Sequence, residues 1–454
     1  MMKIDIIVAY IPRYKFGHEK NFVPPITGIH LAALFSQRHN VRVFHQQVDK
    51  IDMASEADVI AISFFSGFAQ EAFRLAAEFK QRGKIVIGEG PHVTFSIKES
   101  LTYFDALVIG EAESVWQDLL TDLEQGTLQH IYTGNPTALS HLPTPRYDLL
   151  SDRFFIKKVI QATRGCPYSC SFCTVPVLNP GLRKRPIEDV LRGMSYDAFD
   201  HWWQRKVVWF WDDNFMVDRQ YSKALLTAMK PLKKWWLTQA SVDIAQDDEL
   251  LTLMKDSGCI GIFLGLETFG EQSLRDAKKN QNSVTRSKQA VNALHAKGIA
   301  VMAGFISGFD HDTYESIVKM AHNLMELGID VPFLSIMTPF VGTEIYTQFS
   351  KEHRILSHRN WSYYNGYNVT FLPKNMSPDD LMKAHRTLWN EAFSFKNSLV
   401  RVLRSVVYLR RGAFYLTLLM NGLYCLKKLR KNYPIDMTDQ FSQALLAPGH
   451  AWNT

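Results

Sequence analysis

Three cysteines lie close together in the middle of the sequence. Cys166, Cys170 and Cys173 stand in the segment RGCPYSCSFC, with the spacing CxxxCxxC. Three thiolates at this spacing can bind three irons of one cubane iron–sulfur cluster. A structural zinc site would need a fourth ligand, and no His or further Cys is nearby in the sequence. The spacing therefore predicts an iron–sulfur site, with zinc or three unrelated buried cysteines as the alternatives.

The residues around these cysteines carry a family resemblance. Phe172 precedes the last cysteine, and the whole segment resembles the cysteine motif of radical S-adenosylmethionine (SAM) enzymes. The resemblance implies a 4Fe-4S cluster on the three cysteines, with its fourth iron chelated by SAM. It further implies reductive cleavage of SAM to a 5′-deoxyadenosyl radical that removes hydrogen from a substrate. In such a site the protein positions the reactants and excludes water.

Polar residues and a glycine at later strand ends resemble further parts of the same barrel. Besides Phe172, the implied SAM contacts are Asp212, Asp213, Asn214, Gln239, Ser241, Glu267 and Gly304. The resemblance implies that Asp212 and Asp213 face the methionine end of the cofactor. Because unpaired buried charge is costly, we expect these carboxylates to have a cationic partner. A solvated strand end or a helix cap is the alternative. Cys259 precedes an apolar strand and is interpreted as a core cysteine, with a substrate-bonding thiol as the alternative.

Glycine-bearing loops follow strands in the first 125 residues. The segments PPITGI (24–29), GEGPHVT (88–94) and GEAE (110–113) resemble the loops of cobalamin-binding domains that are fused to many radical SAM enzymes. The implied cobalamin contacts are Gly88, Gly90, His92, Thr94, Gly110 and Glu111. Small residues there would leave a gap for the corrin edge. The alternative is a degenerate domain that binds no cobalamin.

Two absences narrow this interpretation. The motif DxHxxG is missing, so cobalamin would have no protein imidazole on its cobalt, and His92 itself is expected to pack or to hydrogen bond. Methylthiotransferases resemble this architecture but carry cluster cysteines in their N-terminal domain. No Cys precedes Cys166, and we therefore exclude that family.

Alternating strand and helix patterns position these residues. In the first 125 residues, short apolar runs predict five strands, at Ile4–Ala9, Val41–Phe44, Val59–Ser63, Lys84–Ile87 and Ala106–Ile109. Their alternation with helical stretches is typical of a doubly wound α/β domain, whose ligands lie at the carboxyl ends of the strands. A second series of six strands begins at Lys157 and favours a (β/α)6-type partial barrel. We predict an α/β fold with a Rossmann-like cobalamin-binding domain at 1–133, a linker at 134–155, a radical SAM barrel at 156–345 and a mostly helical extension at 346–454.

The C-terminal extension combines positive charge with apolar stretches. The chain of 454 residues has a formal net charge of +6, and residues 396–431 hold nine basic and no acidic side chains. Helical spacing places Arg401, Arg404, Tyr408 and Arg411 on one face, across from apolar residues. The pattern favours either a helix in a membrane interface, with its arginines near anionic lipid, or a helix packed on the barrel with a solvated basic face. The apolar segment 413–426 is too short to span a membrane.

Composition and two short segments complete the functional prediction. Hydrophobic residues make up 46% of the chain, which excludes a disordered protein, and no export signal is visible, so we expect a cytoplasmic location with membrane association as an option. The segments 338–343 and 371–378 resemble parts of radical SAM proteins, the second those that modify hopanoid lipids. We predict an enzyme that uses a 4Fe-4S cluster, SAM and cobalamin to methylate an unactivated carbon of a lipid-like or secondary-metabolite substrate.

Other outcomes and partners follow from the same resemblance. A radical SAM cyclase or rearrangement enzyme without methyl transfer is the first alternative, and a non-catalytic cobalamin or cluster sensor is the second. The chemistry implies a reductase, flavodoxin or ferredoxin as electron donor. No nucleic-acid partner is expected, because the modest net charge gives no reason for one.

Overall fold

Two six-stranded parallel β-sheets follow one another along the chain and form the frame of the protein. The computed structural model describes residues 1–10, 22–35, 38–140 and 142–429. Arg430, Lys431 and the remainder of the predicted extension up to residue 454 lie outside the described residues.

The first sheet has the strand order β2-β1-β3-β4-β5-β6. Its strands are β1 (Lys3–Val8), β2 (Asn40–His45), β3 (Val59–Ser63), β4 (Ile85–Glu89), β5 (Ala106–Gly110) and β6 (Ile131–Gly134). The helices around it are α1 (Thr27–Phe35), α2 (Ala69–Gln81), α3 (Pro91–Phe95), α4 (Ile97–Ser100) and α5 (Trp116–Gln125). Ile6 packs with the layer of α1 and α5, and Ile7 packs with α2 on the opposite face. Both faces are covered, so β1 is buried from Ile4 to Ile7, including Asp5, which pairs with Arg42.

This sheet has one strand more than the sequence pattern predicted. β6 pairs in parallel with β5, from Leu107 opposite Ile131 to Gly110 opposite Gly134. Tyr132 is the one buried residue of the four in β6, so hydrophobic periodicity carries little signal there. The predicted boundary at residue 133 therefore falls inside a strand.

The second sheet has the strand order β14-β13-β12-β11-β10-β7, and a short antiparallel pair, β8 with β9, stands beside it. The strands are β7 (Val159–Ile160), β8 (Thr163–Arg164), β9 (Arg183–Lys184), β10 (Val207–Phe210), β11 (Trp235–Ala240), β12 (Cys259–Glu267), β13 (Ala300–Ser307) and β14 (Val331–Ile336). The intervening helices are α6 (Val175–Leu178), α7 (Ile187–Met194), α8 (Trp202–Lys206), α9 (Arg219–Met229), α10 (Asp248–Asp256), α11 (Glu271–Asp276), α12 (Val284–Ala296) and α13 (Tyr314–Leu327). Six parallel strands with helical crossovers match the predicted partial barrel.

The C-terminal helices close this barrel. They are α14 (Glu344–Lys351), α15 (Pro378–Ala392), α16 (Phe395–Tyr408) and α17 (Arg411–Leu429). On β13, Val301 packs in the cluster with the outer helices, whereas Met302 packs with Leu416 and Met420 of α17. The inner side of the sheet is therefore filled in part by α17. None of the described helices combines the length and apolar character needed to cross a membrane.

The orientation of α16 differs from both alternatives that the sequence offered. Arg401 is only 3% exposed, and its guanidinium donates to the Ala392 carbonyl at 2.7 Å and to Asn421 Oδ1 at 2.8 Å. Arg404 donates to the Met325 carbonyl, and the Tyr408 hydroxyl donates to Asp330. Carbonyls at helix carboxyl ends lack intrahelical donors, so arginines satisfy them well. Of the face predicted to be solvated or lipid-bound, Arg401 is therefore buried and Tyr408 is partly buried, whereas Arg404 and Arg411 remain exposed.

Candidate active site

The cysteine segment lies between β8 and β9 and is fixed at its middle. The Ser171 amide donates to the Ala277 carbonyl at 3.1 Å, and the Ser171 carbonyl accepts from Ile345 at 2.9 Å. Cys166, Cys170 and Cys173 are all free and partly exposed. Burial raises the pKa of Cys170, and that of Cys173 to about 11, so binding of iron there must displace protons.

No single-ion site is present around these thiols. Within the described ranges, no group of three or more His, Cys, Asp or Glu side chains is arranged to hold one metal ion. In a cubane each cysteine binds a different iron, so the thiols need not converge on one point. The arrangement fits a cluster ligated by a loop. Cys259, by contrast, is fully buried in the barrel core, as predicted.

Asp212 and Asp213 hold the backbone that leads into the cysteine segment. Asp212 accepts from the Ala162 amide and from both the amide and the hydroxyl of Thr163, the hydroxyl at 2.6 Å. Asp213 accepts from the Gly165 amide at 2.7 Å. Burial raises the pKa of Asp212 to about 7. These carboxylates accept hydrogen bonds from the chain's own donors and so position the cluster loop. That they face SAM stays a prediction.

Asn214, Ser241 and Gln239 form the polar edge next to the first cysteine. Asn214 Nδ2 donates to Ser241 Oγ at 2.7 Å and lies 3.7 Å from Cys166 Sγ. Its Oδ1 is buried and has no hydrogen-bond partner within the described part of the chain. Gln239 donates to the Asp212 carbonyl and lines a cavity. Asn214 Oδ1 therefore remains as an acceptor for a ligand's N–H group.

Glu267 forms a buried ion pair with Lys279 on the other side of the cysteines. Lys279 Nζ also lies 5.8 Å from the centre of the Phe172 ring. Glu267 has a left-handed backbone (φ 69°), and a Cβ on Gly265 would lie 2.5 Å from its carboxylate. Burial alone would lower the pKa of Lys279, yet the charge of Glu267 outweighs it and leaves that pKa raised. The pair places a fixed positive charge beside Cys170.

A cavity of about 380 Å³ lies between the two sheets. Tyr10 and Gln47, just beyond β1 and β2, line one side, and the inward side chains of the barrel line the other. Most of its wall is aromatic, including Tyr10, Phe22, Trp209, Trp211, Phe263 and Phe333. Gly304 belongs to this wall indirectly, since a Cβ there would lie 2.8 Å from the Phe263 ring. The glycine makes room for that ring.

The glycines of the N-terminal loops serve the protein's own packing. A Cβ on Gly90 (φ 107°) would lie 2.8 Å from the Phe64 carbonyl, and one on Gly88 would lie 2.9 Å from the Phe104 ring. A Cβ on Gly110 (φ 76°) would collide with the Gly134 carbonyl oxygen. Packing thus requires a glycine at each of these three positions, and contact of Gly88, Gly90 and Gly110 with cobalamin stays a prediction.

His92, Thr94 and Glu111 are likewise engaged inside the protein. The His92 ring is fully buried, accepts or donates a hydrogen bond with Ser66 at 3.2 Å, and packs against Trp361. Thr94 Oγ1 accepts from the Gly110 amide at 3.3 Å and so connects two loops. Packing of His92 agrees with the expectation that this residue packs or hydrogen bonds. Contact of His92, Thr94 and Glu111 with cobalamin stays a prediction.

Glu111 and Glu113 pair with arginines of the barrel. Glu111 forms ion pairs with Arg183 and, at 3.1 Å, with Arg164, while Glu113 lies 2.7 Å from Arg164 and 2.9 Å from His30. Burial alone would raise the pKa of Glu113, but His30 and Arg164 outweigh it and hold the pKa well below its usual range. The segment GEAE thus joins the first sheet to the start of the cysteine segment.

Comparisons with known proteins agree with this geometry. Residues 160–324 match the model of the Radical SAM superfamily. Bacteriochlorophyllide d C-12(1)-methyltransferase of Chlorobaculum tepidum is 30% identical over 379 residues, which cover 81% of this chain and 82% of that protein. The chain belongs to the radical SAM superfamily.

More distant members and solved structures extend the match over both sheets. Hopanoid C-2 methylase of Rhodopseudomonas palustris is 27% identical, over 77% of this chain and 68% of that protein. The structure of the radical SAM methyltransferase TsrM from Kitasatospora setae, with cobalamin and a [4Fe-4S] cluster, has a TM-score of 0.67 at 14% identity and covers 95% of this chain and 99% of TsrM. The structure of OxsB, with aqua-cobalamin and SAM, has a TM-score of 0.67 at 15% identity and covers 98% of this chain and 74% of OxsB. At these identities the structural matches show a shared fold.

The predicted family, fold class and enzyme class are confirmed by these findings. Sequence reasoning missed three contributors to the radical SAM site: Lys279, Arg164 and Asn179, the last of which donates to Asp213 at 3.1 Å. Arg164 stands directly before the cysteine motif, so its position could have been noticed. Lys279 gave no signal, because its partner Glu267 is twelve residues away and the pairing depends on the bend after β12.

Proposed function

We propose that the protein is a cobalamin-dependent radical SAM methyltransferase that acts on an unactivated carbon of a small, mainly apolar, ring-containing molecule. The observation that carries the proposal is the aromatic cavity, which lies where the strand ends of the first sheet meet the interior of the barrel. Relatives named as methyltransferases of bacteriochlorophyllide d and as a hopanoid methylase support the reaction and the class of substrate.

The chain's residues fit a cluster and SAM. When bound, the cluster and SAM supply the radical that removes a substrate hydrogen, and cobalamin supplies the methyl group. Cys166, Cys170 and Cys173 would hold the cluster, and Asp212 and Asp213 fix the loop that carries them. Asn214 Oδ1 would accept a hydrogen bond from the amino group of SAM, and the charge of Lys279 would attract its carboxylate.

The chain also fits cobalamin, and the structure adds two candidate contacts to the loop residues that the sequence indicated. The strand order of the first sheet reverses between β1 and β3, and doubly wound sheets bind ligands outside the carboxyl ends of strands at such a point. Gln47 lies at this edge and lines the cavity, and its Oε1 is buried with no hydrogen-bond partner among the described residues. Gln47 and Tyr10 are therefore the residues we propose for contact with cobalamin.

The cavity wall favours ring systems over extended chains. Aromatic side chains make up most of it, and they stack well on flat rings and pack on any apolar ring. Gln239 and Lys427 are among its few polar residues. Exclusion of water from such a wall protects a radical from side reactions.

Anaerobic reconstitution with iron, sulfide and hydroxocobalamin tests the proposal. A methyltransferase should show both chromophores and form 5′-deoxyadenosine and S-adenosylhomocysteine with a tetrapyrrole or hopanoid probe. Formation of 5′-deoxyadenosine without S-adenosylhomocysteine would instead indicate a cyclase or rearrangement enzyme, and cofactor binding without either product a sensor.

A cavity-filling variant locates the substrate. Leu423 lines the cavity from α17, so Leu423→Trp should reduce methylated product while 5′-deoxyadenosine still forms. Leu418 lies on the exposed side of the same helix, and Leu418→Trp is the matched control. Equal product formation by both variants would place the substrate elsewhere.

Further parts of the assignment stand as proposals. We propose a flavodoxin, a ferredoxin or a dedicated reductase as the electron donor, because cleavage of SAM consumes an electron. Peripheral membrane contact through the C-terminal region is proposed as well. Because Arg401 of α16 is buried, the surface for this contact differs from the arginine face that the sequence indicated. The domain limits of the sequence analysis are kept, with the first boundary moved beyond β6 to follow Gly134.

A further inference from the structure

Large apolar side chains are exposed along one side of each of the last two helices, α16 and α17. On α16 they are Phe395, Leu399, Leu403, Val406 and Val407, with exposed fractions from 43% to 87%. On α17 they are Tyr415, Leu418, Leu426 and Leu429, with exposed fractions from 42% to 80%. These nine side chains are called the apolar face below. Contiguous apolar exposure on this scale is typical of an interaction surface.

The apolar face lies opposite the sides that pack on the protein. On α16 the buried residues are Ser398, Arg401 and Ser405, and on α17 they include Leu416 and Met420. Arg401 is held by hydrogen bonds to Ala392 and Asn421, so α16 cannot turn its apolar side inward without breaking them. The exposure is therefore a fixed property of the fold.

An aromatic groove continues the surface beyond α17. Trp202 is 58% exposed, and its ring lies 6.3 Å from that of Trp235, which lies 6.4 Å from the ring of Tyr415. A cavity of about 630 Å³ opens between these rings, and Leu418 also lines it. Tryptophan and tyrosine are enriched where a protein meets the boundary between lipid and water.

The charged side chains on α16 and α17 themselves have one sign. Residues 396–429 include seven basic and no acidic side chains. Lys396, Arg404 and Arg411 among them are exposed. A symmetric contact between two copies would bring these like charges together, whereas an anionic bilayer attracts them. The combination of an apolar helix face with flanking basic residues is that of an interfacial helix.

We propose that the apolar face binds the surface of an anionic lipid bilayer, with α16 and α17 lying in the interface and the aromatic groove at its edge. The side of α17 that faces the protein carries Leu423 and Tyr424, which line the aromatic cavity between the two sheets. One helix would thus touch the membrane on one side and the cavity on the other. The proposal concerns this surface alone and holds whether or not methyl transfer is the reaction.

Co-sedimentation of the full-length protein with vesicles tests this surface. The probes are vesicles of phosphatidylcholine with and without phosphatidylglycerol, at low and high salt. We expect binding to the anionic vesicles, reduced by salt through screening over about 8 Å, with a salt-resistant remainder from apolar insertion. The double variant Leu403→Glu/Val407→Glu should bind anionic vesicles at least about tenfold more weakly than the wild type. Each change removes an apolar side chain that would be buried in the bilayer and adds a negative charge that the anionic lipid repels.

Matched controls separate this result from a folding defect. Leu372 is 43% exposed and lies outside the apolar face, so Leu372→Glu should bind vesicles like the wild type. Far-ultraviolet circular dichroism and the unfolding midpoint should be the same for all variants, since every changed side chain is exposed. A double variant that binds as well as the wild type, or a wild type that binds no vesicles, would overturn the proposal. A lipid-free dimer that the double variant abolishes, together with no vesicle binding, would assign the face to a second copy instead.

Discussion

The guanidinium of Arg164 lies 2.7 Å from Glu113 and 3.1 Å from Glu111, two residues of the loop after β5. Arg164 directly precedes Gly165 and Cys166, so the loop that would hold the cluster is attached to the first sheet by a buried ion pair. A displacement of one domain relative to the other would move the first cysteine. The arrangement couples the geometry of the two cofactor regions.

Removal of this arginine should be costly. In Arg164→Ala two buried carboxylates each lose one of two cationic partners, while Glu111 keeps Arg183 and Glu113 keeps His30. An uncompensated buried charge would cost about 3–5 kcal/mol, so we expect a destabilisation below that range. We expect a lower unfolding midpoint and a smaller content of iron after reconstitution, measured by denaturation and by iron analysis. Arg192 pairs with Asp189 but is 64% exposed, so Arg192→Ala is the control and should change stability by less than about 1 kcal/mol. Equal effects of the two variants would refute the coupling.

The cysteines should be separable by function. Replacement of Cys166, Cys170 or Cys173 by Ala should abolish the iron–sulfur absorbance or leave a cluster that does not cleave SAM, because two thiolates do not hold the cubane with one open iron. Cys425 is a free cysteine far along the chain on α17, and Cys425→Ala should retain both absorbance and cleavage. Formation of 5′-deoxyadenosine by the triple Cys→Ala protein would contradict the assignment.

Local patterns predicted the elements better than the contacts. β3 was predicted at Val59–Ser63 and occurs there, because a buried β-branched run between turns has few other solutions. The cysteine spacing predicted its own chemistry for the same reason. In contrast, amphipathicity separated the two faces of α16 without telling which one packs. That choice depends on carbonyls such as that of Met325, which come from a distant helix end.

The polar strand ends show a similar limit. The sequence placed Asp212 next to the cofactor region, and burial makes its ionised form costly. It could not show that the donors would come from Ala162 and Thr163, fifty residues earlier, instead of from a ligand. The loop glycines show the same limit, since a glycine that is required by a neighbouring carbonyl looks the same in sequence as one that is required by a ligand.

Stability should depend on pH through Glu89. Burial raises the pKa of this carboxyl from its ordinary value of 4.5 to about 7. Between these values the unfolded chain releases a proton that the folded chain retains, so the free energy of unfolding should fall as pH rises from about 4.5 to 7, by on the order of 3 kcal/mol. Glu89→Gln removes this titration. The difference in the free energy of unfolding, variant minus wild type, should therefore be larger at pH 8 than at pH 5. The exposed Glu249→Gln should not reproduce this pH-dependent gap.

Gly110 offers a direct test of whether packing requires the glycines of the N-terminal loops. In Gly110→Ala the new Cβ would collide with the Gly134 carbonyl oxygen at a backbone φ of 76°, so both strain and steric overlap should destabilise the loop. Gly83 has a nearly identical φ of 74° with no atom within 4 Å of an added Cβ, and Gly83→Ala therefore carries the strain without the overlap. A non-glycine residue in this backbone region destabilises a protein by about 1–3 kcal/mol. Gly110→Ala should lower the free energy of unfolding by about 1–3 kcal/mol more than Gly83→Ala, because only Gly110→Ala adds the steric overlap. Chemical denaturation of the protein without cofactors measures both. If the two variants unfold alike and only Gly110→Ala loses cobalamin, the glycine serves the cofactor and the packing explanation is wrong.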